Sequence, residues 1–133
     1  MIGKPSEKEL EAILETLPIE FSVLDKDDKV LAWNKHETRV FKRPESVVGR
    51  DVRNCHPEKS LSKVEQILKE MKQGKREKAR FWIDLKLDDG ELHKIMIEYY
   101  ALRGDNGSYL CCLEASQDIT EIQSLKGQKR LLD

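Results

Sequence analysis

A cysteine and a histidine stand side by side at Cys55 and His56, in a stretch of sequence without regular periodicity. A neutral imidazole at such a position could ligate a heme iron, and a cysteine thiolate is another axial ligand that proteins use. The simpler interpretation is that His56 is a surface or hydrogen-bonded residue and that Cys55 is a buried structural thiol. Both residues are candidate cofactor ligands, with heme as the leading candidate and the cofactor otherwise unknown.

Two other chemistries fit these residue types less well. A zinc site would need Cys55, His56 and Cys111 to converge, and the chain has no CxxC or HxxxH spacing. A nucleophilic Cys–His pair would need a third group to orient the imidazole, and adjacent residues rarely align in that way. We therefore predict no metal site and no catalytic residues, and the protein is not expected to be an enzyme.

The composition limits the partners that the protein can have. The chain has 133 residues, of which 24 are basic and 25 acidic, and they are mixed along the sequence. This balance attracts neither nucleic acid nor an anionic membrane, and no apolar run approaches the roughly 20 residues that cross a bilayer. The polar N-terminus is unlike a signal peptide, and three cysteines do not suggest a disulfide framework. We expect one domain, located in the cytoplasm.

Two amphipathic helices are predicted on either side of the Cys–His pair. Ser6 and Glu9 have the spacing of a capping box, and a helical repeat of apolar residues follows up to Pro18. Ser62 and Glu65 have the same spacing ahead of a second apolar repeat, which Gly74 should end. Residues 1–18 should therefore form an N-terminal flanking helix.

Two further helices are predicted from weaker patterns. Asn34 could cap a short helix, with Glu37 three residues further on to complete a capping box. The tail from Ile119 to Leu132 has apolar residues in rough helical register. We expect residues 121–133 to leave the domain as a C-terminal output or linker helix.

Alternating apolar residues predict five strands, joined in three places by hairpin turns at Asp27-Asp28, Asp89-Gly90 and Gly104–Gly107. Strands joined by hairpins favour an α+β fold in which helices gather on one face of a five-stranded antiparallel sheet. The predicted strands are 19–25, 29–33, 81–87, 92–102 and 109–116.

The alternation also predicts which residues face the interior. In the last strand we place Cys111 and Leu113 inside, and Cys112 and Glu114 on the opposite face. The hydroxyl of Tyr99 needs a partner if it is buried, so a bound polar ligand is one possibility. The residues expected to line an internal pocket are Phe41, Val64, Ile67, Leu68, Phe81, Ile83, Leu85, Ile95, Ile97, Tyr99, Cys111 and Leu113.

Two tryptophans, Trp33 and Trp82, are predicted on the outer face of the sheet, where exposed aromatic residues usually indicate a contact surface. The apolar residues of the first helix, or a second subunit, could cover them. A homodimer through the terminal helices and the outer sheet face is therefore expected.

The order of these elements and three short motifs resemble the PAS sensor domains. The segment Leu31–Asn34 resembles the end of the second PAS strand. Ser46–Val52 resembles the family's short helix followed by glycine and a basic residue, and Asp118–Thr120 resembles its closing Asp-Ile-Thr motif. Residues 19–120 would form the PAS domain. The segment Cys55–Ser60 also resembles the PAS segment that follows a hemerythrin-like domain in some prokaryotic proteins.

The resemblance implies a function in signal input. PAS pockets hold heme, flavins, small carboxylates or nothing, and the signal usually passes through flanking helices in a dimer. It implies a small ligand or cofactor in an apolar pocket, with Asp118 and Thr120 relaying the change. A heme-based redox or gas sensor with His56 as axial ligand is one alternative, and a ligand-free docking or dimerisation module is another. The motif of the light-sensing PAS proteins is incomplete after Cys55.

Overall fold

The computed structural model describes residues 1–37 and 39–132. Three short 3₁₀ turns, Glu45–Val47, Val52–Asn54 and Ile122–Ser124, lie between or after the main elements. The helices and strands are α1 (Glu7–Thr16), β1 (Glu20–Leu24), β2 (Val30–Trp33), α2 (Glu58–Lys72), β3 (Lys78–Lys86), β4 (Leu92–Arg103) and β5 (Tyr109–Asp118).

The five strands form one antiparallel sheet in the order β2-β1-β5-β4-β3. The first and last strands of the chain are therefore neighbours near the middle of the sheet. Helix α2 and the connection that precedes it cover the inner face, and α1 lies on the outer face. The α+β prediction with a five-stranded antiparallel sheet is confirmed.

Helix α1 begins as the sequence predicts. The Ser6 side chain accepts a hydrogen bond from the Glu9 amide, and the Glu9 carboxylate accepts one from the Ser6 amide. No residue of α1 is buried. Its attachment to the sheet therefore depends on a few contacts near its C-terminal end.

Asn34 is the main anchor for that end, and the prediction that it caps a helix is wrong. Its Oδ1 accepts from the Phe21 amide at 2.8 Å, and its Nδ2 donates to the carbonyls of Leu14 and Ile19 at 3.1 and 2.8 Å. No helix occupies 34–37 or 39–43 within the described residues. The reason is that a buried amide satisfies three backbone groups here, whereas a helix cap would satisfy one.

Helix α2 begins four residues before the predicted capping box, directly after Pro57. Pro57 stands at the N-cap with extended backbone and makes no side-chain cap hydrogen bond, and Glu58 in the first turn complements the helix dipole. The helix packs its buried face onto the sheet. The buried core cluster is Leu24, Val30, Val47, Val52, Val64, Leu68, Met71, Ala79, Tyr99 and Cys112.

The predicted C-terminal helix does not form in the described part of the tail. One 3₁₀ turn at Ile122–Ser124 is followed by irregular backbone to residue 132. Gly127 has a φ of +63°, and Leu125 is 78% exposed. A short helix is marginal in water without a surface to pack on, which explains the difference.

The inner and outer faces of β5 are the reverse of the prediction. Cys112 and Glu114 are buried beneath the helical side, whereas Cys111 and Leu113 lie on the opposite face. The ladder between β4 and β5 shifts register next to Arg103. This bulge lets Tyr109 pack on the core although it precedes Cys112 by three residues, so alternation counted from Tyr109 was out of phase.

Candidate functional site

The connection between β2 and α2 is fastened to the inner face of β1. The Glu20 carboxylate accepts hydrogen bonds from the amides of Val40 and Phe41. Arg39 is buried and donates to the Phe41 carbonyl at 2.8 Å, the Asn34 carbonyl at 3.0 Å and the Ser22 hydroxyl at 3.1 Å. These bonds hold in place residues 39–41, which directly precede Lys42 and Arg43 in the connection.

Three polar side chains face one another behind this connection, and they do not touch. Glu114 on β5 is only 7% exposed. Its Oε2 lies 3.8 Å from Arg43 Nη2, and its Oε1 lies 3.9 Å from His56 Nε2. Both distances exceed those of a hydrogen bond. Among the described residues, Glu114 Oε1, Arg43 Nε and His56 Nε2 are buried without a hydrogen-bond partner.

Such an arrangement is energetically unfavourable unless something else satisfies the groups. An unsatisfied buried polar group costs about 1–3 kcal/mol, and more when it is charged. The three unpartnered atoms are themselves buried, although the Arg43 and His56 side chains are 16% and 18% exposed elsewhere. We name this cluster of three polar side chains the Glu114 site.

Tyr99 on β4 pairs with Glu114 across the ladder and adds a hydroxyl near the site. Burial, and then the Glu114 charge, raise the pKa of Tyr99, so the hydroxyl keeps its proton. Burial and the same carboxylate raise the pKa of Cys112 to about 12. The Tyr99 ring meets Phe81 edge to face with centroids 5.6 Å apart. The Tyr99 hydroxyl and the Cys112 thiol next to the site are therefore held in their protonated forms.

The surroundings of His56 do not fit a heme. The imidazole nitrogen Nε2 faces the Glu114 carboxylate, and charged Arg43 lies on the other side of that carboxylate. A heme needs apolar surface against its macrocycle, and these groups are charged. Cys55 is directed elsewhere, because its thiol donates to the Asp51 carbonyl at 3.7 Å and packs on the core.

The residues predicted to line the pocket fall into three groups. Val64, Leu68, Ile95 and Tyr99 are buried on the inner side, and Ile67, Phe81 and Ile97 pack partly buried on the same side. Phe41 and Leu85 are half-buried, and Ile83 is more exposed toward the end of β3. Cys111 and Leu113 lie on the outer face and cannot line an inner pocket.

A concave surface lies on the outer face, between α1 and the sheet. This outer groove has a volume of about 410 Å³, and its walls are almost entirely apolar. Trp82 is 63% exposed on the same face, as predicted. Trp33 was placed there wrongly, because it packs partly on the core cluster with the Arg39 guanidinium 5.2 Å from its ring centre. The groove is lined by Leu14, Leu17, Ile19, Phe21, Met96, Glu98, Tyr100, Leu113, Ala115, Ser116 and Gln117.

The closing Asp-Ile-Thr motif forms a compact hydrogen-bonded turn. The amide and hydroxyl of Thr120 donate to Asp118 Oδ1, and the Lys94 amide donates to the Thr120 hydroxyl at 2.9 Å. His93 joins this turn, with Nδ1 2.6 Å from Asp118 Oδ2 and Nε2 2.7 Å from Asp89 Oδ2. Hydrogen bonds to Asp89 and then Asp118 raise the pKa of His93.

The sequence analysis did not include Glu114, Arg43 or His93 among its candidate site residues. Glu114 is the one charged residue between Tyr109 and Ala115, and this was a usable signal once the strand phase was known. In the part of the chain that the structure describes, no group of three or more His, Cys, Asp or Glu side chains could hold a metal ion. No helix among those residues has the length and apolarity to cross a membrane.

A family model described as PAS domain matches residues 10–120. The crystal structure of a C-terminal domain from Streptococcus mutans is 32% identical with a TM-score of 0.83, and the match covers 95% of this chain and 94% of that one. A PAS domain from Colwellia psychrerythraea is 20% identical with a TM-score of 0.62, covering 86% and 97%. No curated protein sequence matches the chain.

A more distant similarity is to a dimeric protein of Vibrio cholerae. The Vibrio cholerae VqmA dimer, solved without its target DNA, is 17% identical with a TM-score of 0.66. The match covers 93% of this chain and 56% of that protein, which is also described bound to DPO. At this identity the comparison shows the fold alone.

Proposed function

The chain belongs to the PAS domain family, and from this premise we propose that it is a cytoplasmic signal-input module that binds a small molecule at the Glu114 site. The observation that carries the proposal is the Glu114 carboxylate, which is buried and lacks a hydrogen-bond partner on Oε1 within the described residues. An unsatisfied buried group in a folded protein calls for an explanation, and a bound ligand that completes its hydrogen bonds is one. In this proposal the domain recognises its ligand without transforming it, so it is not an enzyme.

Strand β5 is the proposed route by which binding is relayed. It carries Glu114 on its inner face and ends at Asp118, whose carboxylate holds Thr120 through two hydrogen bonds. A ligand that draws Glu114 toward Arg43 and His56 displaces the strand that leads into this turn. The tail beyond Thr120 would then receive the signal. This agrees with the relay role that the family resemblance implies for Asp118 and Thr120.

A homodimer through the outer groove and α1 is the proposed assembly. Helix α1 has no buried residue, and Leu17 is exposed beside the apolar groove. Covering this exposed apolar surface with a second copy of the chain removes it from water and is therefore favourable. The dimeric state of VqmA supports the proposal by analogy of fold.

Two other proposals remain from the sequence. A ligand-free docking module is favoured by the outer groove, which is independent of the Glu114 site. The position of the domain after a hemerythrin-like domain rests on the resemblance of Cys55–Ser60 alone. Heme sensing through His56 receives no support from its charged surroundings.

Native mass spectrometry tests the proposed function. The protein is incubated with the protein-free small-molecule fraction of a bacterial lysate, and the variants Glu114→Gln and Trp82→Ala are treated in parallel. We expect a non-covalent adduct on wild type and on Trp82→Ala that is lost from Glu114→Gln. An absent adduct, or one that survives in Glu114→Gln, contradicts the proposal.

A further inference from the structure

We propose that the Glu114 site takes an electrically neutral molecule that carries a hydrogen-bond donor beside an acceptor, of the lactam or primary-amide type. This inference rests on the proposed function and adds the chemical class of the ligand. It follows from three features of the site: the donor and acceptor roles of its unpartnered atoms, its balance of charge and the spacing of its side chains.

The unpartnered atoms call for both a donor and an acceptor. Glu114 Oε1 is an acceptor when the carboxylate is ionised, and Arg43 Nε can only donate. His56 Nε2 donates or accepts according to its tautomer, so it adapts to either partner. A ligand that has only acceptors would leave the carboxylate oxygen unsatisfied, and one that has only donors would leave the arginine unsatisfied.

The charges that face the site balance without a ligand. Arg43 and Glu114 contribute one charge of each sign. The other charged groups nearby are already engaged, because Glu20 accepts two backbone amides and Arg39 donates to carbonyls and to Ser22. An anionic ligand would compete with Glu114 for Arg43, and a cationic one would be repelled by Arg43. A neutral ligand leaves this pairing intact.

The spacing allows one ligand atom to contact two protein groups. Hydrogen bonds of about 2.9 Å to Glu114 Oε1 and His56 Nε2 can converge on a single atom beside the 3.9 Å line that joins them. The nitrogen of a primary amide can donate one N–H to each of these atoms, and a lactam can donate its single N–H to Glu114 Oε1, with the carbonyl oxygen on the adjacent edge in both cases. Arg43, whose side chain is 16% exposed against 18% for His56, can donate to that oxygen from the other side of the carboxylate.

A titration followed by amide NMR tests the class with simple probes. The neutral probe is 2-pyridone, and the charged comparisons are benzoate, benzylammonium and the zwitterion alanine. We expect 2-pyridone to shift the backbone amides of Arg43, His56 and Glu114 saturably, with Kd weakened at least about tenfold in Glu114→Gln by the lost charged hydrogen bond. The outer-face control Trp82→Ala should bind as wild type does.

The other outcomes separate the class from the function. If a charged probe or alanine shifts these amides and 2-pyridone does not, the proposed class is overturned and the Glu114 site stands. If no probe shifts them while the lysate fraction still gives an adduct, the class is again overturned. If neither the probes nor any component of the lysate fraction binds, the proposed class and the proposed function are both overturned. Shifts confined to the outer groove, at Met96 and Leu113, also overturn the class.

Discussion

Arg43 Nη2 lies 3.8 Å from Glu114 Oε2, which is near enough for electrostatic attraction and too far for a hydrogen bond. A buried ion pair normally closes to contact, because only good geometry offsets the loss of hydration. Here the connection that carries Arg43 is held by hydrogen bonds of Arg39 and Glu20. These bonds, which involve neither Arg43 nor Glu114, keep the two partners apart.

Neutralising Glu114 should destabilise the domain. In Glu114→Gln the largely buried Arg43 guanidinium keeps its charge and loses the carboxylate 3.8 Å away that balances it. We expect the free energy of unfolding to fall by about 2 kcal/mol, measured by urea denaturation. The comparison is Glu98→Gln on the outer face, where hydrogen bonds from Lys78 and Arg80 hold the pKa of Glu98 at about 2 and the carboxylate is directly bonded. An unchanged or higher stability in Glu114→Gln would show that the attraction between Arg43 and Glu114 does not stabilise the fold.

Removing the Asn34 side chain should destabilise the domain and release α1. The buried amide makes three hydrogen bonds to the backbone around α1 and β1, and an Asn34→Ala change leaves those groups unpaired. We expect a loss of about 3 kcal/mol in unfolding free energy, together with faster proteolysis near Pro18. Exposed Asn54→Ala serves as the control. Unchanged proteolysis in Asn34→Ala would show that α1 is held by other contacts.

The His93 contacts predict a pH-dependent stability. Hydrogen bonds to Asp89 and then Asp118 raise the pKa of His93 in the folded state above its ordinary value of 6.5. The charged imidazole therefore stabilises the fold fully below the unfolded pKa, and this contribution is lost as the pH rises through the folded value. Wild type should exceed His93→Gln in melting temperature by more near about pH 6 than near about pH 9. An equal difference at both values would contradict the assignment.

A charge in the outer groove should dissociate the proposed dimer. Leu17 lies at the end of α1, half-exposed beside the groove, so Leu17→Glu would place a carboxylate in an apolar interface while leaving the core intact. We expect wild type to sediment as a dimer and Leu17→Glu as a monomer at the same concentration. The control Leu125→Glu changes an exposed residue of the tail. A monomeric wild type would remove the homodimer from the proposal.

Local patterns were sufficient to predict most of the fold. The capping box at Ser6 and Glu9 marked the start of α1, and period-two alternation with glycine turns marked β3, β4 and β5. These features depend on residues close in sequence, which is why they can be read without a structure.

The features that were missed depend on long-range contacts. The bulge beside Arg103 inverted the phase of β5 and hid Glu114, and the Asn34 bonds to Leu14 and Ile19 span 15 residues or more. The tail pattern predicted a helix because apolar spacing alone does not show whether a surface is present to receive it.

A crystal structure of the protein grown with 2-pyridone tests the central claim most directly, because it shows what lies between Glu114, Arg43 and His56. The account predicts density for the probe, with its N–H within hydrogen-bond distance of Glu114 Oε1 and its carbonyl oxygen facing Arg43. A direct Arg43–Glu114 hydrogen bond that closes the space, with no density between them, would contradict it.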